Sequence, residues 1–279
     1  MNEPDLWEEI VALRRRGEAA ALATIVSTLG STPGKMPMKM LVRGDGTIVG
    51  SVGGGCLEAE VWEHARTVMS TLRPMSAEFT LTDNDPDSGL ICGGKVTVFI
   101  EPLTIPSVHV FGAGHVGRAV GNLAVRSDFR VVLYDDREDM LAPERLEEGV
   151  VARPGAFEET AADAEFGARA YAIVVTRGHH HDARVLRALA RNPRPPAFLG
   201  MVGSRAKHRQ LLEQLGAEGV DRSVLEAVRC PVGLPIGART ASEIAVSIVG
   251  QLIADCRGGG MGGEAERARA RRRAARGAD

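Results

Sequence analysis

Apolar residues recur first at helical spacing. Leu6, Ile10 and Leu13 share one face of segment 5–16, which ends in three arginines before Gly17, so a helix is predicted there. Segment 20–28 is a continuous apolar run of strand type, stopped by Leu29-Gly30-Ser31-Thr32-Pro33-Gly34. Segments 39–43 and 47–50 flank Gly44-Asp45-Gly46 and predict a hairpin, because Asp-Gly supplies the positive φ angles of a tight turn. A helix is expected over 57–72 after Gly53-Gly54-Gly55-Cys56, then strands at 77–82 and 95–101. Strands with one or two helices make an α+β domain of about a hundred residues. Pro102 and Pro106 bracket the expected linker.

From Val108 the rhythm becomes strand, helix, strand. Strands are expected at 108–111, 130–134, 172–176 and 197–201, with helical runs between them and a last apolar helix at 241–255. That alternation implies a parallel sheet covered by helices on both faces. The predicted fold class is α/β: a C-terminal Rossmann-type domain (104–256) preceded by a smaller α+β domain (1–103). Beyond Arg257 the chain is Gly-rich, then rich in Arg and Ala without an apolar face, and residues 257–279 are expected to be disordered.

The Rossmann assignment rests on context. Val108-His109-Val110-Phe111 supplies a strand, and Gly112-Ala113-Gly114-His115-Val116-Gly117 a glycine-rich turn opening a helix; an acidic pair, Asp135-Asp136, closes the next strand. In such a turn Gly112 permits the tight bend, Gly114 lets backbone approach a pyrophosphate, and Gly117 lets helix and strand pack closely. Asp135 is then expected to accept hydrogen bonds from ribose hydroxyls, with His115 and Val116 at the phosphate mouth. Thr176-Arg177-Gly178-His179-His180-His181-Asp182 and Gly200-Met201-Val202-Gly203-Ser204-Arg205 each follow a predicted parallel strand, the edge where open α/β sheets bind ligands. Arg177, His179, Ser204 and Arg205 are the candidate contacts. Arg205 and Lys207 suit phosphates or, equally, a solvated helix face. Gly233-Leu234-Pro235-Ile236-Gly237 adds a rigid loop before the last helix. Three adjacent imidazoles diverge rather than converge on one ion, which leaves the metal question unanswered.

The 279 residues balance 34 basic against 36 acidic side chains, which gives no reason to expect nucleic-acid binding. Every long apolar run is broken by Gly, Arg or Asp, so no membrane span is expected, and the acidic start, Met1-Asn2-Glu3-Pro4-Asp5, lacks the order of a signal peptide. A cytoplasmic location is the default. None of the four cysteines forms a CxxC pair. Cys56 follows three glycines at the predicted start of a helix, where backbone N–H groups favour anions and Gly-rich backbone cradles them. Cys92 also abuts two glycines, so Gly54, Gly55, Cys56 and Cys92 form a candidate site for a phosphate- or sulfur-bearing ligand. The alternative is that both cysteines are small buried fillers. Cys230 and Cys256 read as structural.

In order along the chain, Gly30-Ser31-Thr32-Pro33-Gly34, Gly53-Gly54-Gly55-Cys56-Leu57-Glu58, Gly112-Ala113-Gly114-His115-Val116, Thr176-Arg177-Gly178-His179, Gly200-Met201-Val202-Gly203-Ser204-Arg205 and Gly233-Leu234-Pro235-Ile236-Gly237 resemble the XdhC/CoxF family of accessory proteins for xanthine and carbon monoxide dehydrogenases. One departure is Met38, where Gly or Ala is expected before Lys39. The resemblance implies a maturation factor rather than a turnover enzyme. Such a factor holds molybdenum cofactor (molybdopterin) while a cysteine desulfurase supplies a sulfido ligand, and delivers it to a xanthine dehydrogenase-like molybdenum hydroxylase. It points to the Gly55-Cys56 loop for pterin or sulfur handling and to the Rossmann half for a nucleotide or pterin phosphate. A homodimer is expected by fold analogy alone. The competing reading is an NAD(P)-dependent oxidoreductase with His179 or His180 as acid–base group.

Overall fold

The computed structural model describes residues 5–80, 94–167 and 169–257. Cys92 and the segment 258–279 lie outside the described residues, as do the expectations placed on them. The chain divides at Ile105/Pro106 into two compact units.

In the first unit helix α1 (Leu6–Arg16) is capped by Asp5, whose carboxylate accepts from the Trp7 and Glu8 N–H groups, and is ended by Gly17 in the left-handed conformation. Five antiparallel strands follow in sheet order β3-β2-β1-β5-β4: β1 (Ala20–Leu29), β2 (Lys39–Arg43), β3 (Ile48–Gly50), β4 (Met75–Thr80) and β5 (Lys95–Pro102). Helix α2 (Gly55–Thr71) crosses between β3 and β4 in sequence. The period of two in β1 sorts its side chains between two cores. Ala21, Ala23 and Ile25 join the core beneath α2, with Leu57, Val61 and Val68. Ala20 and Leu22 meet Ile10 and Leu13 of α1 on the other face. Pro102, expected in the linker, instead pairs with Ala21 as the end of β5.

The second unit holds a five-stranded parallel sheet of order β10-β9-β6-β7-β8, built from β6 (Ser107–Phe111), β7 (Arg130–Asp135), β8 (Val150–Pro154), β9 (Ala170–Val174) and β10 (Phe198–Met201). Read from β8, this is the 3-2-1-4-5 arrangement, with its reversal between β6 and β9. Helix α3 (His115–Arg126) and helix α8 (Ala241–Cys256) cover one face over Val108, Val110, Leu133 and Ile173. Helices α4 (Phe157–Ala162), α5 (His179–Arg191), α6 (Arg205–Ala217) and α7 (Arg222–Ala227) cover the other. Tyr171, Phe111 and Ile173 are fully buried, each worth about 1.5–3 kcal/mol of transfer free energy. Strand β8 and the two 3₁₀ turns before it, Glu138–Leu141 and Pro143–Arg145, were not foreseen. Their apolar content is short and half-exposed, so no period marks them. The two turns, through Met140 and Arg145, form one wall of the site.

Among the described residues no helix is long and apolar enough to cross a membrane.

Candidate functional site

At the end of β6 the chain turns through Gly112, with φ at 117°, a conformation that side chains disfavour. Its N–H donates to the Tyr134 carbonyl at 2.8 Å. A Cβ on Gly117 would collide with the Gly112 carbonyl oxygen, so glycine there sets the close approach of α3 to the sheet. A Cβ on Gly114 would meet nothing within 4 Å, which leaves that backbone facing space. The helix α3 starts at His115, inside the glycine-rich turn, and its positive end points into a cleft of about 500 Å³. Gly112, Gly114, His115, Val116 and Arg177 line this cleft together with Arg118, Arg137 and Arg145.

Asp135 is corrected by the structure. It has no exposed surface. Its Oδ2 accepts from the Ala113 N–H at 2.7 Å and from Arg137 at 3.1 Å, while Oδ1 accepts from the Arg137 backbone and Nε. With its oxygens so occupied, it braces the glycine turn instead of reaching ribose hydroxyls. The outward acid is Asp136, whose two oxygens accept from the guanidinium of Arg177. That pair holds the Asp136 carboxyl down at about 2.

A second cleft of about 220 Å³ adjoins the first, sharing Thr176, Arg177 and Val202 with it. His179, Ser204, Asp182 and Lys207 line it. Thr176 Oγ1 donates to Asp182 Oδ1 at 2.6 Å, and burial raises the Asp182 carboxyl above its usual range. Ser204 caps α6, accepting from the Lys207 N–H. Arg205 is exposed on the first turn of α6 and lines neither cleft. The three imidazoles diverge: His179 lines the cleft, His180 is exposed, and His181 packs edge-on against Phe157. Among the described residues no group of three or more potential ligands is placed to hold a metal. The Gly233–Gly237 loop is tied to α8 through the Gly233 N–H to Gln251 and lines neither cleft.

The first unit has its own candidate loop. Gly53, Gly54 and Gly55 all have positive φ. Glu58 Oε1 accepts from Ser51 Oγ at 2.6 Å and from the Gly54 N–H at 3.0 Å, fixing the turn. Because α2 begins at Gly55, Cys56 lies in its first turn, exposed as a free thiol; the filler reading fails for it. Cβ atoms on Gly54 or Gly55 would meet nothing within 4 Å. Cys230 differs: its Sγ approaches the Gly203 carbonyl at 3.4 Å, and burial pushes the thiol up to about 11.

Sequence reasoning missed Arg118, Arg137 and Arg145. Arg118 sits one residue past the fingerprint, and the other two stand in the unforeseen wall, so no motif drew attention to them.

These features define a class: an α/β protein of two units whose parallel sheet is of Rossmann type and carries a cationic cleft at its carboxyl edge. Residues 108–252 match the XdhC Rossmann domain, and residues 13–80 match the XdhC and CoxI family. The chain belongs to the XdhC family. It is 32% identical over 251 residues to the uncharacterized protein YqeB of Escherichia coli (strain K12), covering 89% of this chain but 46% of that one, so it spans about half of that relative's length. It is 25% identical to the molybdenum cofactor insertion chaperone PaoD of the same organism, over 85% of this chain and 83% of the other. A solved structure titled a xanthine dehydrogenase from Bacillus halodurans shares the fold, with a TM-score of 0.50 at 20% identity over 91% of this chain and 96% of that one.

Proposed function

We propose that this chain is a maturation protein for molybdenum hydroxylases. It binds molybdenum cofactor as cargo, supports its sulfuration by a cysteine desulfurase and hands it to a xanthine dehydrogenase-like client. The observation that carries this reading is the exposed Cys56 thiol on a turn of three positive-φ glycines, in a chain 25% identical to a protein named for molybdenum cofactor insertion. The groups present suit that cargo. A soft thiol beside open glycine backbone is what a metal–sulfur centre needs, and a cationic cleft is what a phosphate needs. Cys56 is the candidate to hold the metal–sulfur end. Gly112, Gly114, His115, Val116 and Gly117, with Arg177, His179 and Ser204, are the candidates for the phosphate, pterin or nucleotide end.

The test is anaerobic binding of molybdenum cofactor to the purified chain, read by molybdenum content and by activation of an apo-hydroxylase. Binding that weakens at least about tenfold in Cys56→Ala is expected, since loss of one metal–thiolate contact is worth more than 1.4 kcal/mol. Failure to bind, or hydride transfer from a nicotinamide nucleotide to a small carbonyl compound with His179 required, overturns it.

A further inference from the structure

The cleft under the glycine turn carries positive charge that its own unit does not neutralise. Four guanidinium groups line it, those of Arg118, Arg137, Arg145 and Arg177, and no carboxylate is among the lining residues. Two of the four are engaged, Arg137 with Asp135 and Arg177 with Asp136. Arg118 and Arg145 have no carboxylate partner among the described residues. Arg118 Nη1 donates weakly to the Ala113 carbonyl at 3.4 Å, and both residues point a guanidinium nitrogen at the same Met140 sulfur, at 3.6 and 3.9 Å. A neutral carbonyl and a weakly accepting thioether leave both charges without a counter-charge. The two cations therefore converge on one corner of the cleft, at the β7 side of the sheet.

That corner has a defined chemical meaning in this fold. The residue closing the second strand of the sheet selects the ribose end of a nucleotide: an outward carboxylate takes bare hydroxyls, and a nearby Arg takes a phosphate in their place. Here the carboxylate of Asp135 is turned inward and covered by Arg137. The wall it would have made negative is positive. Guanidinium groups also match a phosphate's oxygens in planar, paired geometry, which a lysine would not.

We propose that the Arg118–Arg145 corner is a phosphomonoester site, so that the cleft selects ligands bearing a terminal phosphate dianion over the same ligands without it. The phosphate is carried either on an adenosine ribose or on the side chain of a pterin; the chemistry recognised is the same. The inference deepens the maturation reading at the same cleft, and its nucleotide pairs test the site without Cys56 and whether or not molybdenum cofactor is the cargo.

The test is titration calorimetry on the full chain with matched pairs: NADP⁺ against NAD⁺, adenosine 2′-phosphate against adenosine, and the oxidised fluorescent pterin derived from molybdopterin against its dephosphorylated form. In at least one pair the phosphorylated member binds about tenfold or more tightly, the scale of one charge-assisted hydrogen-bond set. The preference falls below about threefold in the Arg118→Gln/Arg145→Gln double variant. Arg145 is exposed, so Arg145→Gln alone, which keeps the fold, shows a partial loss. The exposed Arg194, which precedes β10 at the opposite edge of the sheet, gives Arg194→Gln as a control with unchanged preference. A preference in the nucleotide pairs alone identifies a ribose phosphate, and one in the pterin pair alone a pterin phosphate. Equal binding within every pair, no binding by any member, a preference that survives the double variant, or an equal loss in Arg194→Gln overturns the proposal.

Discussion

Arg177 and Asp136 clasp each other across the carboxyl edge of the parallel sheet, Nη2 donating to Oδ2 at 2.7 Å. Arg177 follows β9 and Asp136 follows β7, while β6 and its glycine turn lie between them. The ion pair thus bridges the mouth where the strand order reverses, the place this fold uses for ligands.

Asp136→Asn releases Arg177 and adds positive charge at the mouth. The pair is partly exposed, so its loss costs about 1 kcal/mol or less in stability. Affinity of the cleft for anions rises severalfold, measured with pyrophosphate as probe. The carboxyl titrates at about 2 when folded, below its ordinary 3.8. Its contribution is therefore complete above about pH 4 and is lost as the pH falls toward 2.

Gly117→Ala and Gly114→Ala separate packing from binding. The first drives a methyl group into the Gly112 carbonyl and destabilises by about 1–3 kcal/mol. The second meets open space and changes stability by about 1 kcal/mol or less. Chemical denaturation of both variants checks this. Equal losses would mean that the helix does not approach the turn as closely as described.

Asp135→Ala strands the buried Ala113 N–H and frees Arg137. Loss of hydrogen bonds to a charged group predicts about 2–4 kcal/mol of destabilisation, with Asp135→Asn milder because its amide oxygen still accepts from Ala113. A ribose-binding aspartate would instead lose affinity while stability stayed constant.

His109 is buried in the middle of β6, with Nδ1 2.9 Å from the Tyr134 hydroxyl and Nε2 3.3 Å from Ser107 Oγ. Burial lowers its pKa to about 3. The unfolded chain takes up this proton near pH 6.5 and the folded chain does not. Stability from this residue is complete above about pH 6.5 and falls as the pH drops toward 3, by up to about 1.4 kcal/mol per unit. Denaturant titrations at pH 7.5 and 5 should show wild type losing about 2 kcal/mol more than His109→Gln. Parallel losses in the two proteins would remove His109 as the cause.

Native-state alkylation at pH 8 modifies Cys56 and spares Cys230. The latter's thiol, raised to about 11, is about one part in a thousand thiolate at that pH. Peptide mapping after brief iodoacetamide treatment reads the order directly, and faster labelling of Cys230 would contradict its burial.

Much of this protein was written in its sequence. Periods of two and of 3.6, with Gly17, Gly44-Asp45-Gly46 and Gly112 as punctuation, placed most elements to within three residues, because local spacing and backbone freedom decide them. The same local logic placed Gly112, Gly114, His115 and Val116 at the cleft and Cys56 at a helix start. Only the tertiary structure decided how charges face one another. Asp135 and Asp136 are adjacent in the chain, and strand alternation turns one inward onto Ala113 and Arg137 and leaves the other to meet Arg177, 41 residues away. Arg118 and Arg145 carry no motif, and become neighbours only when α3 packs beside the 3₁₀ turns that lead to β8. Local periodicity says which face a residue takes. What it meets there depends on sheet order and on helix packing between segments far apart in the chain.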